Sequence, residues 1–270
     1  MIDDSGSKII LDHPARKIIS LSPHITELLF AAGAGDKIIA TVVGSNYPEA
    51  ALDIRKIGRV GQLDYESILA LHPDLIVGWL SGNRKENISR LKKLGLKVFL
   101  SEPRKLEDIA INIKKLGLLA GTEKKANKAE ISYQNKLHEL KIKYNNKEPV
   151  KVFYLLWHKP ILTINSEHII SDVIKLCGGI NVFGQQAVYT PTIDFESVLQ
   201  KNPDVIITAS MGNKKPGWLV RWQQWQGITA VKNNNFLWLN PDWIHRQGPR
   251  ILLAADKMCR FFDKVRNKNN

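Results

Sequence analysis

The segment DYESILALHPDLIV, residues 64–77, is nearly repeated 130 positions later as DFESVLQKNPDVII, residues 194–207. Seven of the fourteen paired positions are identical, and four more exchange apolar residues of similar shape. Such similarity between two windows of one chain indicates an internal duplication. In each copy an aspartate precedes an aromatic residue and Glu-Ser, which predicts a capped helix, and Pro-Asp then leads into an apolar strand. The duplication therefore predicts two lobes of similar fold.

The composition is that of an ordinary globular protein. The 270 residues are 44% hydrophobic and 24% charged, which suits two domains of about 130 residues. Apolar runs such as LIVGWL at 75–80 extend for about six residues, against roughly 18 for a membrane span. The formal net charge is +13, but the lysines are scattered and no nucleic-acid-binding motif occurs. We therefore predict no nucleic-acid partner.

Apolar segments alternate with helical patterns along both halves of the chain. KIISL at 17–21 predicts a buried strand, and Ser22-Pro23 then predicts the N-cap and first residue of a helix. DLIVGW at 74–79 is uniformly apolar, as in a parallel sheet covered on both faces. The second half begins again with the apolar run VKVFYLLW at 150–157. This order predicts an α/β fold with two Rossmann-like lobes.

The segment between the two repeats predicts one long helix. From Thr122 to Tyr144, apolar residues recur at spacings of three and four, which indicates an amphipathic helix of roughly 23 residues and about 34 Å. This position predicts domains at 1–121 and 148–270 bridged by a helix at 122–147. A ligand cleft would then lie between the lobes. The alternative is an ordinary surface helix of the first lobe.

Glu66 and Glu196 occupy the same position in the two copies of the repeat. In one interpretation, each lies in the first turn of a capped helix, where the helix dipole favours a carboxylate. In the other, they are exposed at equivalent corners of the two lobes and dock onto a two-fold symmetric partner with paired cations. The residues alone leave both interpretations open.

The chain contains two cysteines, Cys177 and Cys259. They are either two buried thiols or one disulfide across a loop of about 80 residues, which would contribute on the order of 4 kcal/mol to stability. A single pair of cysteines does not decide between these alternatives.

The sequence carries no recognisable catalytic motif. It lacks G-x-S-x-G, a P-loop, G-x-G-x-x-G after a strand and H-E-x-x-H. Ser22 and His24 are close in sequence, but we expect them to point to different sides of a helix start. His24, His158 and His245 match no metal-binding spacing. We therefore predict a binding protein with no catalytic residue, metal site or resident cofactor.

Several segments of the chain resemble a known family. Together with the two repeats, they are similar to the periplasmic cobalamin (vitamin B12)-binding proteins of bacterial ABC importers, within the helical-backbone class (class III) of substrate-binding proteins that also serves siderophores and haem. The resemblance covers about residues 17–265. The segments are SPHITELLFAAGAGDKIIA (22–40), DLIVGWLSGN (74–83), LKKLGLKVF (91–99), CGGINVF (177–183) and PDWIHRQGPRILLAADKMC (241–259).

This resemblance implies a monomeric periplasmic receptor that captures cobalamin as transported ligand and delivers it to the permease dimer of an ABC importer. Contact with the membrane would be peripheral, through that permease. It implies docking through Glu66 and Glu196. It also implies a disulfide between Cys177 and Cys259, as expected in an oxidising compartment. The first residues show no signal-peptide pattern, so we expect a form from which the signal peptide has been removed.

The resemblance also implies a ligand site of aromatic faces with polar groups at the edge, which suits a flat corrin ring rimmed by amides. Asp242 and Arg246 would equally pair with each other. Gly44 and Val60 stand where cobalamin receptors of the family carry Tyr and Trp, so haem, a ferric siderophore or another metal chelate is the alternative cargo. An α/β enzyme is the more distant alternative. The positions that match the ligand site are Trp79, Tyr47, Phe183, Trp222 (or Trp225), Asp242, Trp243 and Arg246.

Overall fold

The structure is a computed structural model that describes residues 1–144, 146–211 and 215–269. The chain divides into two compact units, and both have an α/β fold, as the alternating sequence pattern predicts. Unit 1 contains Met1–Pro103, Glu107–Asn135 and Gln247–Pro249, and unit 2 contains Arg104–Leu106, Lys136–Arg246 and Arg250–Asn270. The domain limits predicted above, 1–121, 122–147 and 148–270, stay a prediction.

Unit 1 is built on a four-stranded parallel sheet. Its strands are β1 (Ile18–Ser20), β2 (Ile38–Ala40), β5 (Leu75–Trp79) and β6 (Val98–Ser101), in the order β2-β1-β5-β6. Two short strands, β3 (Gly58–Arg59) and β4 (Gln62–Leu63), form a separate antiparallel hairpin. The helices are α1 (Pro23–Ala31), α2 (Tyr65–Ala70), α3 (Lys85–Lys93) and α4 (Leu106–Ala120), with 3-10 turns at Gly35–Lys37 and Glu49–Ala51.

Unit 2 contains a second four-stranded parallel sheet. Its strands are β7 (Val150–Leu155), β10 (Gly179–Asn181), β11 (Val205–Ala209) and β12 (Phe236–Leu239), in the order β10-β7-β11-β12. A short antiparallel pair is formed by β8 (Trp157–His158) and β9 (Ile161–Leu162). The helices are α6 (Ile169–Leu176), α7 (Phe195–Lys201), α8 (Thr229–Lys232), α9 (Pro241–Ile244) and α10 (Ile251–Asn269), with a 3-10 helix at Gly217–Gln224.

The two copies of the repeat form the same pair of elements. In unit 1 the segment makes α2 and β5, and in unit 2 it makes α7 and β11. Both strands occupy the third place in their sheets, each between the first strand of its unit and an edge strand. Each is buried from its first residue to its fourth, which explains why both read as continuous apolar runs.

A single helix, α5 (Glu123–Tyr144), contains 22 residues and extends for about 33 Å. Its residues up to Asn135 belong to unit 1, and those from Lys136 belong to unit 2. The predicted apolar stripe is buried at Ala126, Tyr133, Leu137, Leu140 and Tyr144. The long helix predicted from spacing is therefore confirmed. Among the described helices, none is long and apolar enough to cross a membrane.

Cys177 and Cys259 form a disulfide, as the family resemblance implies. Cys177 lies at the end of α6 and Cys259 lies within α10. Both residues are fully buried, and they are 82 positions apart in sequence. The bond therefore closes a loop that contains most of the sheet of unit 2.

Candidate functional site

The residues predicted to bind ligand follow the carboxyl ends of the parallel strands. In unit 1, Tyr47 follows β2 and Trp79 is the last residue of β5. In unit 2, Phe183 follows β10, Trp222 follows β11, and residues 242–246 follow β12. Parallel strands end at one edge of their sheet, and open α/β sheets bind ligands at that edge. Each unit thus gathers its predicted ligand residues at its own carboxyl edge.

Trp79 is half-buried at the end of β5. Its backbone N–H donates to Oδ1 of Asn83 at 2.6 Å, and the ring of His24 meets its indole edge-on, with 5.0 Å between centroids. The indole Nε1 is buried and has no hydrogen-bond partner among the described residues. Any surface that this indole offers to a ligand is therefore carbon surface.

Ser22 and His24 do not point to different sides of the helix start, so that expectation is wrong. Ser22 Oγ lies 2.8 Å from His24 Nδ1, and both side chains are buried. Pro23 begins α1 as predicted, but the Ser22 hydroxyl makes no capping hydrogen bond to the helix. The hydroxyl is therefore available to His24, and this hydrogen bond holds the imidazole against Trp79.

Gly44 and Val60, the two positions without the expected aromatic side chain, lie in different local environments. Gly44 has a φ of 93°, in the left-handed region that favours glycine. Val60 packs its side chain against the core of unit 1, and its carbonyl accepts a hydrogen bond from Asn83. Tyr47, which is 45% exposed, supplies aromatic surface nearby in sequence.

Phe183 and Trp222 are packed inside unit 2. Their exposed fractions are only 2% and 7%, and both rings contact Phe153, with centroids 5.5 and 5.8 Å away. Their faces are therefore largely covered by other side chains. Trp225 is 40% exposed and lies against Phe195, with 4.3 Å between centroids.

Asp242 and Arg246 form the ion pair that the sequence allowed. Arg246 Nη2 lies 2.7 Å from Asp242 Oδ1, and their side chains are 13% and 25% exposed, Arg246 being the more buried. The Asn240 side chain caps α9 by accepting from the Asp242 N–H at 2.8 Å. Trp243 is half-buried in the same short helix. The segment after β12 therefore carries a carboxylate and a guanidinium held together, with an indole next to them in sequence.

A group of histidine and tyrosine side chains in unit 2 was missed by the sequence analysis. His168 caps α6 by accepting from the Ile170 N–H at 3.2 Å, and its ring stacks on Tyr189 at 4.8 Å. His245 Nε2 lies 2.8 Å from the hydroxyl of the buried Tyr154. The only available sequence signal was the position of His168 before an apolar helix.

The surroundings change the acidity of both histidines. Burial lowers the pKa of His168 from 6.5 to about 4, and the neighbouring His245 adds to the lowering. Desolvation by the surrounding protein also lowers the pKa of His245. However, His245 is exposed to water, and this access to solvent weakens the effect. Of the two histidines, His168 is therefore the one whose neutral form the fold favours more.

We expect acid to destabilise the protein through His168. Because its folded pKa is depressed, its contribution is complete above pH 6.5 and is lost as the pH falls towards about 4. Partial solvent access reduces the expected loss to about 1–2 kcal/mol. Urea unfolding at pH 7.5 and 4.5 measures it. His168→Asn, which caps a helix without titrating, should lose less over this range, whereas the exposed His138→Gln should behave like wild type. Equal acid sensitivity in His168→Asn would contradict this assignment.

Glu66 and Glu196 are exposed in the first turns of α2 and α7. Each helix is capped by the preceding aspartate, with Ser67 N–H donating to Asp64 and Ser197 N–H donating to Asp194. Hydrogen bonds from these serines lower the pKa of both aspartates. The capping interpretation of the repeat is thus correct, and it leaves both glutamates accessible.

The surroundings of the two glutamates differ. Beside Glu66, Arg55 donates to Ser67 Oγ at 3.0 Å, and the guanidinium of Arg90 lies 4.2 Å from the Tyr65 ring centroid. Beside Glu196, the ring equivalent to Tyr65 is Phe195, which is covered by Trp225 and Trp222. The residues next to Glu66 therefore contact guanidinium groups, whereas those next to Glu196 contact aromatic rings.

Within the described ranges, no group of three or more His, Cys, Asp or Glu side chains is arranged to hold a metal ion. Of the histidines considered above, His24 contacts Trp79, His158 stacks on Trp218 at 5.2 Å, and His245 contacts Tyr154. Each ring thus has an aromatic neighbour.

Residues 18–243 match the family model of periplasmic binding proteins, and the chain belongs to this family. It is 37% identical over 264 residues to the vitamin B12-binding protein of Vibrio parahaemolyticus, an alignment that covers 97% of this chain and 95% of that protein. It is 32% identical over 246 residues to the vitamin B12-binding protein of Yersinia pestis, covering 91% and 86%. The resemblance identified from the sequence is confirmed.

Solved structures show the same fold. The crystal structure of the periplasmic vitamin B12-binding protein BtuF of Vibrio cholerae matches with a TM-score of 0.85 and 35% identity, covering 94% of this chain and 98% of that one. The periplasmic haem-binding protein HutB of Vibrio cholerae matches with a TM-score of 0.79 and 22% identity, covering 91% and 98%. The second match supports the fold only, because the sequence identity is low.

Proposed function

We propose that this chain is a periplasmic substrate-binding protein that captures cobalamin and delivers it to the permease of an ABC importer. The observation that carries this proposal is the 37% identity to a vitamin B12-binding protein across 97% of the chain. The buried disulfide supports a location in the oxidising periplasm. The protein would act by binding and release, as a monomer and without chemistry of its own.

Cobalamin needs apolar faces for its corrin ring and polar groups for its amide rim. We assign stacking contacts to Trp79, Tyr47 and Trp243, which have accessible surface. Asp242 would accept from ligand amide N–H groups and Arg246 would donate to amide oxygens. Because these two side chains already hold each other, little conformational entropy remains to be lost on binding.

Phe183 and Trp222 are assigned an indirect part in the ligand site. Both rings are covered by the core of unit 2. They would shape the loops after β10 and β11, while the corrin ring contacts more accessible side chains. A calorimetric signal that survives Phe183→Leu with a small loss of affinity would support this assignment.

The test of the proposal is calorimetric titration of the purified protein with cyanocobalamin. We expect saturable one-to-one binding at micromolar affinity or better. Haemin and a ferric siderophore serve as controls, since Gly44 and Val60 offer no aromatic face and leave room for another flat or chelated cargo. Saturation by one of these controls without heat from cyanocobalamin would retain the transport role and overturn the cargo.

Docking is proposed to use Glu66 and Glu196, because both are exposed carboxylates on firmly capped helices. We expect Glu66→Gln and Glu196→Gln each to weaken binding to the detergent-solubilised permease dimer roughly tenfold, with the cobalamin affinity unchanged. Glu123→Gln, an exposed glutamate in the first turn of α5, is the matched control. Permease binding that is insensitive to both substitutions would remove the glutamates from the interface.

A further inference from the structure

The loop that follows Trp79 is tied to two other loops of unit 1 by one amide side chain. Asn83 is 3% exposed and accepts the Trp79 N–H through Oδ1 at 2.6 Å. Its Nδ2 donates to the carbonyl of Leu21 at 3.2 Å and to that of Val60 at 3.1 Å. The amide uses its acceptor and both donor directions within the protein. It therefore fixes the backbone of Trp79 relative to the loops after β1 and β3.

A buried carboxylate holds the middle of the same loop. Glu102 is 7% exposed, and its two oxygens accept from the N–H and the hydroxyl of Ser81 at 2.8 and 2.9 Å. The Glu102 N–H donates in turn to Asp4, whose other oxygen pairs with Lys115 at 2.8 Å. The loop is thus anchored through a chain of charge-assisted hydrogen bonds.

Gly82 lies directly against the indole of Trp79. A Cβ added at this position would fall 1.8 Å from Trp79 Cε3 and 2.2 Å from Cζ3, whereas real Cβ atoms essentially never come closer than 3.0 Å. The backbone of Gly82 is not in the left-handed region that would itself require glycine. The space taken by the Trp79 ring is therefore the reason that a side chain is excluded here.

We propose that Gly82 is a positioning residue for the ligand site, and that Gly82, Asn83 and Glu102 form a cradle that fixes the Trp79 ring before ligand arrives. This inference rests on the proposed function only in assigning the ring to cobalamin binding. The Trp79 indole contacts the ring of His24 and lies against Gly82 at its six-membered ring. Its accessible surface therefore needs no further ordering before a ligand binds. Preorganisation of this kind increases affinity because less freedom is lost on binding.

The test is a double-mutant cycle of Gly82→Ala and Trp79→Ala, read by thermal unfolding and by cyanocobalamin titration. In the wild-type background, we expect Gly82→Ala to lower the unfolding midpoint by about 3–8 °C, since the methyl displaces the ring. We expect it also to weaken cobalamin binding by about tenfold or more. In the Trp79→Ala background both effects should vanish, because the methyl then has room. Gly217→Ala is the matched control, since a Cβ there meets no atom within 4 Å.

The two readouts separate the inference from the function on which it rests. Additive unfolding effects of Gly82→Ala and Trp79→Ala would overturn the cradle, whatever ligand the protein binds. Coupled unfolding effects with unchanged cobalamin affinity in Gly82→Ala would overturn its part in binding. Absence of cobalamin binding by wild type would instead overturn the proposed function, and the unfolding cycle would still decide whether Gly82 sets the ring.

A second variant covers the case in which Gly82→Ala does not fold. Glu102→Gln keeps one oxygen that accepts a hydrogen bond from Ser81. It loses the second acceptor oxygen and the negative charge. We expect the Trp79 indole N–H resonance, assigned by its loss in Trp79→Phe, to shift or broaden in Glu102→Gln while the other indole resonances stay in place. An unchanged Trp79 resonance would show that the anchored loop does not hold the ring.

Discussion

Replacing Cys177 and Cys259 together by serine is expected to lower the free energy of unfolding by about 4 kcal/mol. The bond joins residues 82 positions apart, so its removal returns a large amount of loop-closure entropy to the unfolded chain. Both positions are fully buried, and two buried hydroxyls add to the loss unless they find acceptors. Urea unfolding monitored by circular dichroism measures the change.

Reduction gives a control for this result within the same protein. Wild type unfolded in the presence of a strong thiol reductant should lose nearly as much stability as the double variant, and the double variant itself should be insensitive to reductant. A double variant as stable as oxidised wild type would show that α6 and α10 need no covalent link. The packing between them would then suffice.

Trp79→Ala is expected to weaken cyanocobalamin binding by about 100-fold, or roughly 2.7 kcal/mol. Tryptophan anchors of this kind dominate binding energies because they bury a large rigid face. Removing the indole also leaves His24 without the ring that it contacts edge-on, so the unfolding midpoint should be measured in parallel. Isothermal titration of the two proteins gives the affinities.

The matched variant is Trp79→Phe, which keeps an aromatic face in a smaller ring. It should retain most of the binding that Trp79→Ala loses. If Trp79→Ala binds cyanocobalamin as wild type does, the corrin ring stacks elsewhere and Tyr47 or Trp243 takes the central place. If both variants lose binding equally, the size of the indole rather than its aromatic face is what the ligand requires.

The sequence predicted those parts of the molecule that depend on local order. The spacing of Ala126, Tyr133 and Leu137 specifies α5 because helical periodicity alone determines which side chains share a face. The place of Trp79 at a strand end followed from the apolar run before it. The pairing of Asp242 with Arg246 was one of the two alternatives that the sequence left open, because the two residues lie close together in one segment.

Contacts between distant segments were beyond such reasoning. Tyr154 and His245 meet only because β7 and α9 end near each other in the folded unit. The hydrogen bond from Ser81 to Glu102 depends on the pairing of β6 with β5. Ser22 and His24 are close in sequence, yet their contact was missed because a serine before a helix usually caps it. Here the hydroxyl has a better partner in the imidazole.

The duplication has a consequence for any complex with a dimeric permease. If docking uses Glu66 and Glu196, two identical permease subunits meet two corners that share a capped helix and a carboxylate. The residues next to those glutamates make different contacts, because Arg55 and Arg90 contact Ser67 and Tyr65, whereas Trp225 contacts Phe195. Two identical permease subunits would therefore meet different chemical surroundings on the same bound protein, one with guanidinium groups and the other with aromatic rings.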